Sequence, residues 1–391
     1  MRVIDVDSHF LEPADWLSQV NPKLAAELPP PDVNERVVQA AVGDLLEVIP
    51  RSQRPANILE LMAPTGRKSF ETLLERAKTQ GMAALAAPPA GYDAAARIAA
   101  MDANGIDVQL LNSTLGIGPY VAAQSIKRPD LALQALASFN SWAAGVVAGH
   151  TDRLMPVTLL ELTDVDWAVQ ELTRMRAAGS RAFQLRPAPV TPDKSLTHPD
   201  YDRVWATASD LGMAAVIHIG AAKSSLAHGW YFNGGQTSNY SMLHFLAGQM
   251  TPQIALAAML LDGLFERFPK LTVLVQELGI GWVPNFLEVM DSVTVGPYGD
   301  QFGIGRANYR LPLTPSEYIR RQVRFTPLVS ADRLQPTLDL VPPEIIVFSS
   351  DFPHVEGRIE AIDIFDGQLQ GVSDARRELF YGKSMSDLMG I

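Results

Sequence analysis

The sequence predicts an α/β protein built as a parallel eight-stranded (β/α)8 barrel, a TIM barrel. Short β-rich runs alternate with longer helix-compatible segments along the chain, and that alternation implies a parallel sheet. Most of the runs are nearly continuously apolar, as strands covered on both faces are. There are eight of them, enough to close a barrel whose catalytic residues stand at the C-terminal ends of strands.

The runs, in order, are VIDVDSH (3–9), VQLLNS (108–113), MPVTLLEL (155–162), AFQLRP (182–187), AAVIHIG (214–220), TVLVQEL (272–278), VRFTP (323–327) and IIVFSSD (345–351). Between them lie amphipathic stretches such as VDWAVQELTRMRAAG and YDRVWATASDLGM, with apolar residues at helical spacing and a glycine near the end, where helix caps favour it. A doubly wound open sheet is the alternative, but the first strand lacks the Gly-rich turn of a dinucleotide site. Two segments exceed an ordinary crossover. Residues 14–90 read as an inserted lid or helical subdomain, and residues 221–250 as an aromatic-rich insertion after strand five that shapes the substrate pocket. No low-complexity linker divides the chain, so residues 1–391 are expected to form a single domain.

Composition narrows the function classes. The chain has 391 residues, 47% of them hydrophobic, and no cysteine. Disulfides, thiolate metal sites and a Cys nucleophile are therefore excluded, and any metal must be held by imidazole and carboxylate. A net charge of -11 and a pI near 5.1 argue against nucleic acid, whose partners present a basic footprint. Acids stand where a signal peptide needs its apolar core, and no apolar run reaches bilayer length, so a soluble cytoplasmic protein without membrane attachment is expected.

The chemistry concentrates at strand ends. In a regular strand side chains alternate, so Asp5, Asp7 and His9 are expected on one face, opposite Ile4, Val6 and Ser8. Buried carboxylates are costly unless paired or metal-bound. Strand five ends in VIHIG with His218, and strand eight ends in VFSSDFPH with Asp351. Each alone has an ordinary structural reading: His9 and His218 as hydrogen-bonded core histidines, Asp7 as a turn cap, Asp351 as a helix N-cap. Together they bring Asp7, His9, His218 and Asp351 to one rim, a donor set for one divalent ion, Zn²⁺ first and Mn²⁺ second, with coordination left open for water or substrate.

With these residues in place the chain resembles the amidohydrolase-related metal enzymes, in the branch similar to aminocarboxymuconate-semialdehyde decarboxylase. The likeness runs through IDVDSHFLEP, ARIAAMDANGIDVQLL, HPDYDRVWATASDLGMAAVIHIG, FERFPKLTVLVQELGIGWVPNFLEVMD, VFSSDFPHVEGR and FYGKSMSDLMGI. It implies a barrel whose metal is held from strands one, five and eight by Asp7, His9, His218 and Asp351, with Asp351 also shuttling a proton. Such relatives are often dimers, which makes a homodimer the expectation. Two departures stand out. Asp7 occupies a place usually held by His or Glu, and Glu277 stands where the decarboxylases carry a strand-six His.

Glu277 has two readings: a structural partner of Arg186 or Arg324, or a second carboxylate beside the metal that orients water or takes a proton. His354 either touches substrate or bonds within its loop. His228 and His244, in the aromatic insertion, are candidates for the missing strand-six imidazole. Trp230 and Tyr231 would supply apolar walls for a planar substrate, with Arg186 as a polar contact. Glu12 is expected to pin the first loop, and His150 and His198 to lie at the surface or cap a helix. Nucleophile elbow, P-loop and H-E-x-x-H templates are absent.

The leading expectation is a metal-dependent hydrolase in which Asp351 deprotonates a metal-bound water that attacks a carbonyl-type centre of a small aromatic or hydrophobic molecule. The alternative is metal-dependent nonoxidative decarboxylation of an aromatic or enoic acid, with Asp351 protonating carbon. A metal-stabilised binding barrel without chemistry is the third.

Overall fold

In the computed structural model, residues 1–13, 15–28, 89–219, 240–329, 331–354 and 357–391 are described. The strands are β1 (Ile4–His9), β2 (Val108–Asn112), β3 (Leu154–Leu159), β4 (Ala182–Leu185), β5 (Ala214–His218), β6 (Val273–Gln276) and β7 (Val323–Phe325). They form one curled, TIM-barrel-like sheet, parallel throughout and hydrogen-bonded in chain order from β1 to β7.

The expected eighth strand runs beside both ends of this sheet without becoming a regular strand. Phe325 N–H donates to Ile345 O at 2.8 Å and Val347 N–H to Phe325 O at 3.0 Å. Across the other side, Val6 N–H donates to Phe348 O at 3.3 Å and Asp351 N–H to Asp7 O at 2.7 Å. Between those last two bonds the ladder is broken, because Ser350 N–H donates to the Asp5 carboxylate at 2.9 Å and not to a main-chain carbonyl.

Helices lie where apolar periodicity and caps place them. Asp164 accepts from Trp167 N–H at 2.9 Å and starts the helix Val165–Ala177, which carries Arg174 and Arg176 in its last turn, where cations suit the helix dipole. The helix Asp202–Leu211 ends on Gly212 at φ 62°, a left-handed position that costs glycine nothing. Of the predicted lid, the described residues contain two short helices, Trp16–Val20 and Pro22–Glu27; residues 29–88 lie outside the described set. Of the second insertion, residues 221–239 also lie outside it, and the chain resumes in the helix Tyr240–Leu261. Among the described residues no helix is long and apolar enough to cross a membrane.

Apolar side chains divide between the two faces of the sheet. Phe183, Ile217, Val275 and Phe348 join the layer that packs against the helices. Ile4, Leu110, Val157, Val216, Leu274 and Val347 form a separate inner cluster, completed by Met385 and Ile391 from the C-terminal segment.

The expected common face of Asp5, Asp7 and His9 is not found. Asp5 pairs with Gln109 and Ser8 with Leu111, so β1 spends two intervening residues, Val6 and Asp7, against the single Leu110 of β2. This β-bulge inverts the alternation. Asp5 faces Gln109 on one side of the sheet, while His9 pairs with Asn112 and joins Asp7 on the other. Arg324, weighed as a partner for Glu277, also lies elsewhere: it donates to Ser384 Oγ at 2.6 Å, beside the C-terminal segment.

Candidate active site and metal centre

The polar cluster stands at the C-terminal strand ends, above the inner apolar cluster. On β5, Ala214 and Val216 belong to that cluster, and the next residue of the same face is His218. The same switch from apolar to polar occurs at Asn112 after Leu110 and at Gln276 after Leu274. Asp7 and His9 reach this level because of the β1 bulge.

His9 and His218 turn their Nε2 atoms toward each other at 3.3 Å. The other ring nitrogens face carbonyls: His9 Nδ1 lies 3.3 Å from Ser113 O and His218 Nδ1 2.9 Å from Ile219 O. A carbonyl can only accept, so each Nδ1 carries the hydrogen and each Nε2 is the ligand atom when the ring is neutral. Asp7 Oδ1 is 3.4 Å from His9 Nε2 and 3.7 Å from His218 Nε2, and Asp351 Oδ1 is 3.4 Å from His9 Nε2. Two donors each about 2.1 Å from a tetrahedral ion lie roughly 3.4 Å apart, so the spacing and the chemistry of this set both suit a divalent cation. Asp7, His9 and His218 form one such group, and His9, Glu277, Asp351 and His354 an overlapping one.

Electrostatics point the same way. Burial would raise the Asp7 carboxyl, but hydrogen bonds and charge from His218 and His9 hold it well below the usual carboxylate range. Burial lowers the His9 imidazole to about 3, against the pull of Asp7. Burial also opposes the charge on His218, yet Glu277 and Asp7 outweigh it and push that imidazole up to about 10. Glu277 is raised to about 8 by burial, with Asp351 and Asp7 adding to the rise and His218 opposing it. The carboxylates around His218 thus favour a positive charge at its Nε2.

Glu277 is thus placed at the cluster, 3.1 Å from His218 Nε2, and pairs there with neither Arg186 nor Arg324. Regular alternation would turn it outward, because Gln276 already faces inward and bonds Asn112. A left-handed backbone at Glu277, φ 57°, re-aims it; Asp351, at φ 52°, has the same conformation. Such non-glycine positions cost about 1–3 kcal/mol each and gather at functional sites. Gly357 makes the second possible: a Cβ there would meet the Asp351 carbonyl oxygen at 2.0 Å.

His354 Nδ1 lies 2.9 Å from Asp351 Oδ1, its ring packs on His9 at 3.8 Å between centroids, and its Nε2 is 2.9 Å from Thr114 Oγ1. Glu12, in the first loop, ties that loop to the one after β2 by accepting from Ser113 Oγ, Thr114 N–H and Leu115 N–H. His198 caps a short 3-10 turn by accepting from Asp200 N–H. Arg186 follows β4, 3.4 Å from the Tyr120 hydroxyl, which donates to Glu161. Arg186, Glu161 and Gln124 line a small cavity of about 100 Å³ together with Leu160, Leu185 and Val190. His228, Trp230 and Tyr231 lie outside the described residues, as does the side chain of His244.

Three site residues were absent from the sequence reading: Asn112, Gln276 and Thr326. Asn112 Nδ2 donates to Asp7 Oδ1 at 2.9 Å and approaches Gln276 Oε1 at 3.0 Å, while Thr326 Oγ1 is 3.4 Å from Asp7 Oδ2. Their signal was position: each falls at or just beyond a strand's C-terminal end, on the inner face.

Solved structures of the same fold span the whole chain. An amidohydrolase of Mycobacterium avium subsp. paratuberculosis K-10 matches at TM-score 0.69 and 21% identity, over 100% of this chain and 98% of that one. The 5-carboxyvanillate decarboxylase of Sphingomonas paucimobilis matches at 0.63 and 19%, over 100% and 99%. A dihydroxybenzoic acid decarboxylase of Polaromonas sp. JS666, solved with bound manganese and the inhibitor 2-nitroresorcinol, matches at 0.63 and 16%, over 100% and 97%. The sequence model of the amidohydrolase family matches residues 4–383, and the chain belongs to that family.

Proposed function

We propose that this protein is a metal-dependent nonoxidative decarboxylase of an aromatic acid, with Asp351 as the proton donor. The observation that carries this reading is the pair Asp351–His354, 2.9 Å apart beside the histidine cluster. It puts a carboxyl with its own proton partner at the rim of a buried donor set. The hydrolase expectation uses the same Asp351. The preference for carbon protonation rests on two of the fold relatives just described, which are named as decarboxylases of benzoic acids.

His9 and His218, with Asp7 and Asp351 as carboxylate donors, would hold one divalent ion, manganese or zinc. When bound, that ion supplies positive charge to fix and polarise an anionic substrate. The protein's own groups do the rest. Asn112 and Thr326 orient Asp7, and the carbonyls of Ser113 and Ile219 hold the two imidazoles in the ligating tautomer. The Asp351 carboxyl delivers its proton to the ring carbon that bears the carboxylate. The bond to that carboxylate then breaks, its electron pair returns to the ring, and carbon dioxide leaves. Asp351 ends as a carboxylate and is reprotonated through His354, which Thr114 holds in place. Burial raises Glu277 to about 8, against the pull of His218, so it repels an incoming carboxylate less than an ordinary carboxylate would. Arg186 and the cavity it lines would receive the substituted edge of the ring, with Trp230, Tyr231, His228 and His244 remaining candidates for the other walls.

The test is incubation of the Mn²⁺-loaded protein with 2,6-dihydroxybenzoate or 5-carboxyvanillate in D₂O. Carbon dioxide and one deuterium on the carbon that lost its carboxylate are expected. Asp351→Asn should lower the rate by about 10²–10⁴-fold, the range of general acid catalysis. Turnover of ester or amide substrates with solvent oxygen in the product, and no carbon dioxide from a panel of hydroxybenzoates, would return the hydrolase reading.

A further inference from the structure

Asp5 takes no part in the donor set, yet it is fully buried and saturated with donors. Ser350 N–H reaches its Oδ1 at 2.9 Å, Ser350 Oγ–H its Oδ2 at 2.6 Å and Gln109 Nε2 its Oδ2 at 2.8 Å, while Asp7 N–H lies 3.3 Å from Oδ1. We propose that Asp5 is a positioning residue whose carboxylate stands in for the main-chain carbonyl of Val6 in the ladder to segment 345–351, and so holds the bulge that turns Asp7 into the donor set.

The ladder itself supplies the argument. In a parallel pair, a residue whose N–H donates to one neighbour accepts, through its own carbonyl, from the residue two further along that neighbour. Val6 N–H donates to Phe348 O, so Ser350 N–H is due at Val6 O. It goes to Asp5 Oδ1, and Val6 O instead accepts from Gln276 Nε2. The released carbonyl thereby fixes Gln276, whose Oε1 lies 3.0 Å from Asn112 Nδ2, the group that donates to Asp7. A chain of contacts thus runs from Asp5 to the ligand carboxylate through Val6, Gln276 and Asn112.

Without the bulge, Asp7 would pair with Leu111, which packs in the apolar layer under the helices. A carboxylate there is costly. Alanine at position 5 would leave Ser350 N–H and Gln109 Nε2 buried without their acceptor, a penalty relieved by returning Ser350 N–H to Val6 O. That return takes Val6 O from Gln276 Nε2 and so loosens the chain of contacts that holds Asp7 in the bulge. The inference rests on the metal cluster and is independent of which reaction the site performs.

Mn²⁺ affinity, measured by electron paramagnetic resonance and by competition with a fluorescent chelator, tests it. The proteins are wild type, Asp5→Asn, Asp5→Ala and Ser350→Ala, each checked for folding by circular dichroism. Residues behind metal ligands change affinity by about 10–100-fold. We expect a loss of about 100-fold in Asp5→Ala, about 10-fold in Asp5→Asn, which keeps one acceptor oxygen, and about 3-fold in Ser350→Ala. The line shape of the Mn²⁺ still bound should change as Asp7 leaves. A purely structural Asp5 would lower the melting temperature and leave affinity and line shape of the folded protein at wild type. That result overturns the proposal, and if Asp5→Ala fails to fold, the same result in Asp5→Asn and Ser350→Ala does so.

Discussion

The two ends of the same strands behave as different materials. Toward the strand starts the interior is Ile4, Val108, Ala182, Ala214 and Val347, sealed by Met385 and Ile391. At the strand ends it becomes Asp7, His9, Asn112, His218, Gln276 and Asp351, all buried. The floor is held by apolar burial and tolerates nothing polar without a partner. At the mouth every named group is tied to another, and the arrangement asks for a cation. Because the rigid floor and the reactive mouth share backbones, the scaffold can specify the site to within tenths of an ångström, as barrel enzymes require.

The sharpest break of this comparison is His218→Ala. It removes one of the two facing imidazole nitrogens, so metal content should fall from about one equivalent per chain to almost none, with the floor and the far-ultraviolet dichroism unchanged; elemental analysis reads it. The converse is Leu110→Ala, one step below Asn112 on β2. It should destabilise the protein by about 2–5 kcal/mol in chemical denaturation through the cavity it leaves, with Mn²⁺ affinity within about twofold of wild type. A large loss of affinity there would show that floor and mouth are not separable.

The smallest effect is a slope. His218, pushed up to about 10, must lose its proton before its Nε2 can bind a cation. Apparent metal affinity should therefore rise with pH by up to about tenfold per unit and level off near pH 10, with protons released on binding. Calorimetry in two buffers of different ionisation enthalpy counts them. Leu110→Ala should keep the wild-type slope, and Glu277→Gln, which removes the main charge raising His218, should bring the plateau to lower pH.

Much of this architecture was legible because it depends on period and position. All seven assigned strands fall within two residues of their predicted starts and three of their predicted ends, and His9, His218 and Asp351 meet as their strand-end positions implied. What escaped depends on departures from regularity. Alternation placed Asp5 beside Asp7, and only a register shift, invisible in VIDVDSH, separates them. Alternation likewise would have turned Glu277 away from the site, and a left-handed backbone turns it back. Gln276 and Asn112 were overlooked because amides advertise no chemistry; their part is to satisfy others. Arg324 looked like a strand-end group but is the middle residue of a three-residue strand, and its side chain reaches Ser384 beside the floor.

The bond between Ser350 N–H and Asp5 joins positions 345 residues apart in the chain. Among the described residues the other seams of the sheet close between consecutive elements, whereas this one requires the two ends of the sheet to find each other. Loop-closure entropy makes it the costliest contact of the sheet to close. Asp7 and His9 stand on one lip of that seam and Asp351 on the other, so a bound cation is a latch. At a hundredfold excess over its dissociation constant it would add about 2.7 kcal/mol against opening. Metal supply would then set how long each molecule survives as well as how fast it turns over, because the ion fastens the seam that costs the most chain entropy to close.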